Sequence, residues 1–338
     1  MIKMYLLVLF FILVIILYVV ILRSQSNDAI VSNALPAEKV SLVKTKSKPA
    51  PSASMIAVGD IMLSREVERK MKQHGLGYPF EKVSDYLKSA DFVFGNLEGP
   101  IIDGPEVPVD VLKFRAPEGV EKILFQNNIQ ILSLASNHIY NQGQAGIDKT
   151  VSLLDSVGIK YTGAGRDRAD GQKPAIIEQN SLKIAFLAYT YPQDNLLLSV
   201  ASLDKEKMKS AVENTKKVAD LVIVSMHTGK EYSHEPTERQ VEFAHSAIDS
   251  GADLVLGHHP HVIQPVEIYK NKNIFYSLGN FIFDQRGNDR QETVAIKFLL
   301  EKGKISIRET KAGRIKDFSQ PNFVTGDEAK LILDRLKL

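Results

Sequence analysis

Five short apolar runs in this chain all end in groups able to bind a ligand. "SMIAVGD" closes on Asp60, "DFVFGNLEG" reaches Asn96 and Glu98, "IQILSLASNH" ends on Asn137 and His138, "LVIVSMH" on His227, and "DLVLGHHPH" on His258, His259 and His261. Between them lie "EVERKMKQ", "PEGVEKILFQN", "AGIDKTVSLLDSVG" and "TERQVEFAHSAIDSG", whose apolar residues recur at helical spacing and which end near Gly or Asn. Strand, polar loop and helix in repetition predict an α/β fold, with a largely parallel sheet covered on both faces by helices. Ligands of such sheets sit at the carboxyl ends of the strands. Five strand ends therefore deliver carboxylate, amide and imidazole groups to one rim.

The chain has eight histidines and places three of them between positions 258 and 261. His259 and His261 are two apart, so an extended segment would project both to the same side. Imidazoles presented with a carboxylate and a carboxamide suit a borderline divalent metal such as zinc, manganese or iron. Cysteine is absent, which excludes disulfides, thiolate metal sites and thiol nucleophiles and leaves His, Asp, Glu and Asn to hold any ion. A solitary histidine is ordinarily a hydrogen-bonded core or surface residue, and His74, His234 and His245 are assigned that role. No Gly-x-Ser-x-Gly elbow or P-loop occurs. The "GAGRDR" at 163–168 lacks the third glycine of a dinucleotide fingerprint and reads as a tight turn near the rim. A formal net charge of +2 gives no reason to expect nucleic acid as a partner.

Residues 4–22, "MYLLVLFFILVIILYVVIL", carry no charge, and about 20 such residues cross a bilayer as a helix. A cleaved signal peptide is the competing reading. Its apolar region is usually about 7–15 residues and ends at a small-residue site, which "ILRSQSND" does not offer. The expected organisation is a transmembrane anchor over 1–23, a flexible stalk over 24–53, an α/β domain over 54–318 and a C-terminal helix over 319–338, begun by Thr325 or Asp327. Lys3 and Arg23 flank the anchor too evenly to set its orientation. A short N-terminus inside and a large domain outside, single-pass in the cell membrane, is the expectation. The stalk lysines of "KTKSKPAPSAS" either lie on anionic lipid or are simply solvated.

"AVGDIMLSR", "FGNLEGPI", "LASNHIYNQG", "MHTGKEY" and "GHHPHVIQPVEIYKNKNIFYSLGNFIFDQ" resemble, in order and spacing, the hallmark segments of the CapA/PgsA family, membrane-anchored proteins of poly-γ-glutamate capsule synthesis. The resemblance covers about residues 54–285. That family is in turn similar to calcineurin-like metallophosphoesterases, which implies a two-layered sheet sandwich with helices outside and a two-metal centre at the rim. On this resemblance Asn137 and His138 match an Asn-His pair, amide on a metal and imidazole facing the leaving oxygen. His227 matches the lone histidine after a strand, and His259 and His261 the terminal His-x-His, one for each metal. Two departures stand in the first half. Met62 replaces the histidine of Asp-x-His, and Glu98 takes the bridging place of an aspartate, with Asn96 behind it. The implied sets are Asp60, Glu98 and His261 around one ion, and Glu98, Asn137, His227 and His259 around the other. The first is short of a ligand, and so weak or empty.

Two functions follow as expectations. One is a capsule-synthesis component that binds the emerging poly-γ-glutamate, or another anionic polymer, or the membrane subunits of its synthase. The other is a divalent-metal-dependent hydrolase of a phosphoester or of an amide in the polymer or cell wall, with His138 protonating the leaving group. Arg65, Lys113, Arg115 and Lys230 are the cations expected around an anionic ligand; the alternative for each is a solvated surface charge. "SLGNFIFDQ", with Asn280 and Asp284, either closes the pocket or shapes a turn.

Overall fold

Apolar side chains on both sides of the pleat make each of the five runs a strand buried on two faces. In β1 (Ser52–Ile61), Met55 and Ala57 enter one core and Ile56 and Val58 another; in β2 (Phe92–Leu97), Phe92 and Phe94 oppose Val93 in the same way. β3 (Ile129–Ser133) and β4 (Lys160–Thr162) complete a parallel set, β1-β2-β3-β4. β5 (Ala175–Gln179) pairs antiparallel with β6 (Leu182–Thr190), which opens a second parallel run through β7 (Leu221–His227) and β8 (Leu254–His258). β9 (Val266–Tyr269) and β10 (Lys272–Phe275) form a hairpin whose second strand joins β8. β11 (Asn280–Ile282) returns to lie beside β1, and β12 (Glu292–Glu301), β13 (Lys304–Lys316) and β14 (Gln320–Phe323) extend the first sheet antiparallel.

The computed structural model describes residues 51–191 and 199–338, together with Ile15 and Ile16, which are helical. The described residues from 51 onward form one compact unit. Two sheets face each other, eight strands in the order β14-β13-β12-β1-β2-β3-β4 with β11 beside β1, and six in the order β5-β6-β7-β8-β10-β9. Met55, Phe94, Phe186, Ile223, Leu256 and Phe298 belong to the core between them, where the Phe94 and Phe186 rings stack with centroids 5.2 Å apart. The other face of the first sheet is covered by α1 (Arg65–His74), α2 (Ser84–Leu87), α3 (Val120–Gln126) and α4 (Gly143–Val157) through Val67, Leu87, Leu124 and Val151. After the short α5 (Arg168–Gln172), α6 (Lys205–Lys216) and α7 (Glu238–Asp249) cover the second sheet through Met208, Val212, Phe243 and Ala247.

Two layered sheets with helices outside are what the family resemblance implies, whereas the largely parallel sheet read from the apolar runs alone is corrected to two mixed sheets. Each has one face on its partner sheet and one on helices. A strand apolar on both faces reads the same in either arrangement. At the C-terminus, Gln320–Phe323 is an edge strand carrying Pro321, and the helix α8 (Gly326–Leu333) begins only after Thr325. At the other end, Ser52 and Ala53 already lie in β1. Among the described residues no helix is long and apolar enough to cross a membrane. Apart from Ile15 and Ile16, the expected anchor lies outside the described residues, as does the stalk up to residue 50.

Two glycines just before rim residues allow backbones to touch. A Cβ on Gly59 would meet the Gly279 carbonyl oxygen at 2.0 Å, and one on Gly257 the Tyr276 carbonyl oxygen at 1.9 Å. Neither backbone can swing aside as a side chain would. Gly257→Ala is expected to lower stability by about 1–3 kcal/mol or more, seen as a lower urea midpoint at unchanged slope. An unchanged midpoint would mean that β8 and the segment after β10 are not held this close.

Candidate metal centre

The carboxyl ends of β1, β2, β7 and β8 meet where the two sheets converge. Asp60 pairs in register with Asn96 and with Asn280, and His227 with His258. Asp60 is fully buried and is the hub of the cluster. It accepts from Asn96 Nδ2 at 2.9 Å and from the His259 backbone N–H at 3.2 Å, and it faces His258 Nδ1 at 3.3 Å, His261 Nδ1 at 3.6 Å and His227 Nδ1 at 4.0 Å. Burial alone would raise its pKa, but the His258 contact and the surrounding imidazoles hold it well below the usual carboxylate range.

Glu98, one residue beyond β2, is in the opposite condition. Its side chain is buried and neither carboxylate oxygen has a hydrogen-bond partner among the described residues. Burial, then repulsion from Asp60 and Glu231, pushes its pKa well up against the pull of Arg65. Around it stand His261 Nε2 at 3.7 Å and His138 Nε2 at 3.9 Å. An ionised carboxylate left unpaired in such a site costs several kcal/mol, roughly. A divalent cation is the group that would satisfy it, and the residues present fit one: the donor atoms of Asp60, Glu98 and His227 all lie within 4.8 Å of one another, as do those of Glu231, His259 and His261.

The histidine tautomers follow from their neighbours. Asn141 Oδ1 accepts the Phe114 backbone N–H at 2.7 Å, so it is an acceptor, and His138 Nδ1 at 2.9 Å must donate to it. His138 Nε2 is thereby left bare toward Glu98. The Asn280 amide nitrogen donates to the Arg290 carbonyl and to Gln285 Oε1, so its oxygen accepts from His261 Nδ1 at 3.0 Å and turns Nε2 toward the site. Such outer partners orient metal-binding imidazoles in general. His227 Nε2 and Asn137 Oδ1 are 2.9 Å apart, close to the spacing of two adjacent ligands each at roughly 2.0–2.2 Å from one ion. Burial, first of all, lowers the pKa of His227, His259 and His138, the last to about 4. All three are neutral at pH 7; His227 Nδ1 accepts from Asn96 Nδ2 at 3.1 Å and its Nε2 donates to Asn137 Oδ1, a hydrogen bond that an ion bound by both would replace.

His259 and His261 converge by a different route from the one the spacing suggested. The segment is not extended: both residues adopt left-handed backbone, with φ of 96° and 59°. Each such non-glycine conformation costs on the order of 1–3 kcal/mol and tends to cluster at functional sites. It brings the His259 ring centroid to 4.9 Å from that of His227 and 6.0 Å from that of His261.

A family model described as "Bacterial capsule synthesis protein PGA_cap" matches residues 54–285, the span that contains every residue of this cluster. The chain belongs to the PGA_cap family. It is 32% identical over 269 residues to the "Capsule biosynthesis protein CapA" of Bacillus anthracis, covering 75% of this chain and 66% of that one. It is 33% identical over 270 residues to the "PGA biosynthesis protein CapA" of Bacillus subtilis (strain 168), covering 77% of this chain and 70% of the relative. The match thus spans about two thirds of those relatives' own length. Among solved structures, the 5'-nucleotidase from Candida albicans aligns at 11% identity and a TM-score of 0.45, over 83% of this chain and 56% of that one. The protein TT1561 of Thermus thermophilus aligns at 9% identity and a TM-score of 0.42, over 76% and 98% of the two chains. At these scores neither likeness assigns an activity or a ligand to this PGA_cap chain.

Within this PGA_cap domain, Asp60, Asn96, Glu98, Asn137, His138, His227, His259 and His261 come together, while the expected ligand cations do not form one group. Arg115 is buried, its guanidinium engaged by Glu68 at 2.9 Å and the Pro105 carbonyl at 2.8 Å. Arg65 is buried too, paired with Asp284 and stacked over Phe114 at 4.7 Å. Both were expected to face an anionic ligand, and both instead neutralise buried carboxylates of the fold. Lys113 and Lys230 are exposed. The implied metal sets also regroup, with His227 beside Asp60 and Glu98, and His259 beside His261.

One contributor, Glu231, is not singled out by the sequence; it lies in "MHTGKEY" beside Lys230. Asn280 and Asp284, expected either to close the pocket or to shape a turn, hold His261 and Arg65. The solitary histidines keep ordinary partners: His245 pairs with Glu267 at 3.0 Å, His234 with the Ile263 carbonyl at 3.1 Å, and His74 stacks on Tyr78.

Proposed function

We propose that this chain is a membrane-anchored, extracytoplasmic component of poly-γ-glutamate capsule synthesis, with a strand-end centre that holds divalent ions and receives carboxylates of the polymer. The observation that carries this reading is Glu98, a buried carboxylate with no partner of its own, ringed by Asp60, His227, His261 and His138 in a chain of the capsule synthesis family. Bound manganese, zinc or iron would supply positive charge and Lewis acidity there. The chain's own residues would do the positioning. Asn96 orients Asp60 and His227 by sharing its amide between them at 2.9 and 3.1 Å, and Asn280 orients His261. Lys230, exposed beside Glu231, adds attraction for a polyanion. The anchor in residues 4–22 and the membrane subunits of a polyglutamate synthase as partners complete the reading.

A second reading, hydrolysis of a phosphoester or of an amide of the polymer or wall, is favoured by His138. Its bare Nε2 lies 3.9 Å from Glu98, where a proton could be passed. Opposing it, burial holds His138 at about 4 in the metal-free protein, which makes it a poor reservoir of protons at neutral pH. Expressing wild type, His227→Ala and His138→Ala in a capsule-forming host that lacks its own copy separates the readings. Cell-associated polyglutamate should be lost with His227→Ala and kept with His138→Ala. Loss with both would shift the assignment to hydrolysis, and retention with His227→Ala would remove the centre from the function.

A further inference from the structure

We infer that Glu231 is a ligand of the ion held by His259 and His261, standing in for the imidazole that Met62 removes from the end of β1. The inference rests on the reading of the rim as a metal centre. Met62 cannot fill the gap itself. It is fully buried in the core beneath the rim, and its sulfur accepts the Ser64 backbone N–H at 3.1 Å. A thioether is in any case a weak partner for a borderline ion.

Glu231 reaches the site because its loop is fastened to the histidine turn on both sides. Thr228 N–H donates to the His258 carbonyl at 3.0 Å, and Tyr232 N–H to the Pro260 carbonyl, between the two histidines, at 2.8 Å. Tyr232 adopts left-handed backbone with φ of 63°, and the Arg290 guanidinium lies 3.9 Å over its ring. The Glu231 carboxylate is thereby placed with an imidazole nitrogen of His259 and one of His261, all three donor atoms within 4.8 Å of one another. Glu98, buried and 3.7 Å from His261 Nε2, would be the second carboxylate for that ion.

Two carboxylates and two imidazoles form a harder set than one with a third histidine, and favour manganese or iron over softer ions. Because Glu231 is exposed, an ion held there would lie toward solvent and exchange more readily than one held by the buried Asp60, Glu98 and His227.

The test is titration of the full chain, stripped with chelator, with Mn2+ in a calorimeter, and elemental mass spectrometry after dialysis. Orienting partners one step removed from a metal are worth roughly 10–100-fold in affinity. Glu231→Gln should therefore lose one equivalent, or bind it at least about tenfold more weakly, with Glu231→Asp recovering part of the loss. The melting midpoint in chelator should be unchanged, since the side chain is exposed. Wild-type stoichiometry and affinity in Glu231→Gln overturn the inference alone. A wild-type chain that takes up no Mn2+ overturns it together with the reading on which it rests.

Discussion

Glu98→Gln is expected to stabilise the metal-free protein and, in the same sample, to remove most of the stabilisation that Mn2+ gives. In the absence of metal the Glu98 carboxylate is buried without a partner. Relieving such a group is worth about 1–3 kcal/mol, or roughly 2–6 °C in melting midpoint for a domain of this size. With metal the sign reverses, because an ion at a thousandfold excess over its dissociation constant contributes about 4 kcal/mol to the wild type, and the variant has lost a central ligand. The pH dependence has a defined direction. The folded-state pKa of Glu98 is raised, so the folded protein holds the proton longer than the unfolded chain, which releases it near about 4.3. Wild-type stability from this group is greatest below that value and declines as pH rises toward the folded pKa. Glu98→Gln cannot show the decline, so the two proteins should match near pH 4 and diverge above it. Thermal melts in chelator and in Mn2+ at several pH values provide the check, and a variant less stable than wild type in chelator would refute the account of Glu98.

Asp60→Ala should have the largest effect on stability of any single change at the rim. Its carboxylate ties the end of β1 to Asn96 and to the His259 backbone, and it lies 3.3, 3.6 and 4.0 Å from ring nitrogens of His258, His261 and His227. Removing one partner from a buried charged network costs about 3–5 kcal/mol. The expected result is a urea midpoint lowered accordingly at unchanged slope, with no metal retained after dialysis. Asp60→Asn keeps an acceptor for the His259 N–H and should recover much of the stability, yet still bind metal poorly. A loss below about 1 kcal/mol in Asp60→Ala would mean that the imidazoles are held in place without it.

Other contributors could not be recognised in the linear chain. Glu231 carries no signal in the sequence, because nothing in "MHTGKEY" indicates that its loop is fastened to the 258–261 turn. Arg65 and Arg115 looked like free cations because Asp284 and Glu68, which neutralise them, lie 219 and 47 residues away in the chain. The spacing of His259 and His261 predicts an extended pair, because a left-handed backbone in non-glycine residues has no local signature.

What the sequence by itself determined was the kind of group delivered and the place of delivery. Apolar runs long enough for strands, each ended by a carboxylate, carboxamide or imidazole, put Asp60, Asn96, Glu98, Asn137, His138, His227, His259 and His261 at one rim. Period and composition are local properties, and they are sufficient for that. Tertiary structure alone decided which core each strand residue enters, since Met55 and Ile56 are equally apolar although one faces a sheet and the other helices. It also decided which donors share a space. Distances of a few ångströms between residues more than a hundred positions apart are set by strand register and by the two loops beyond β7 and β8, and no local pattern encodes them.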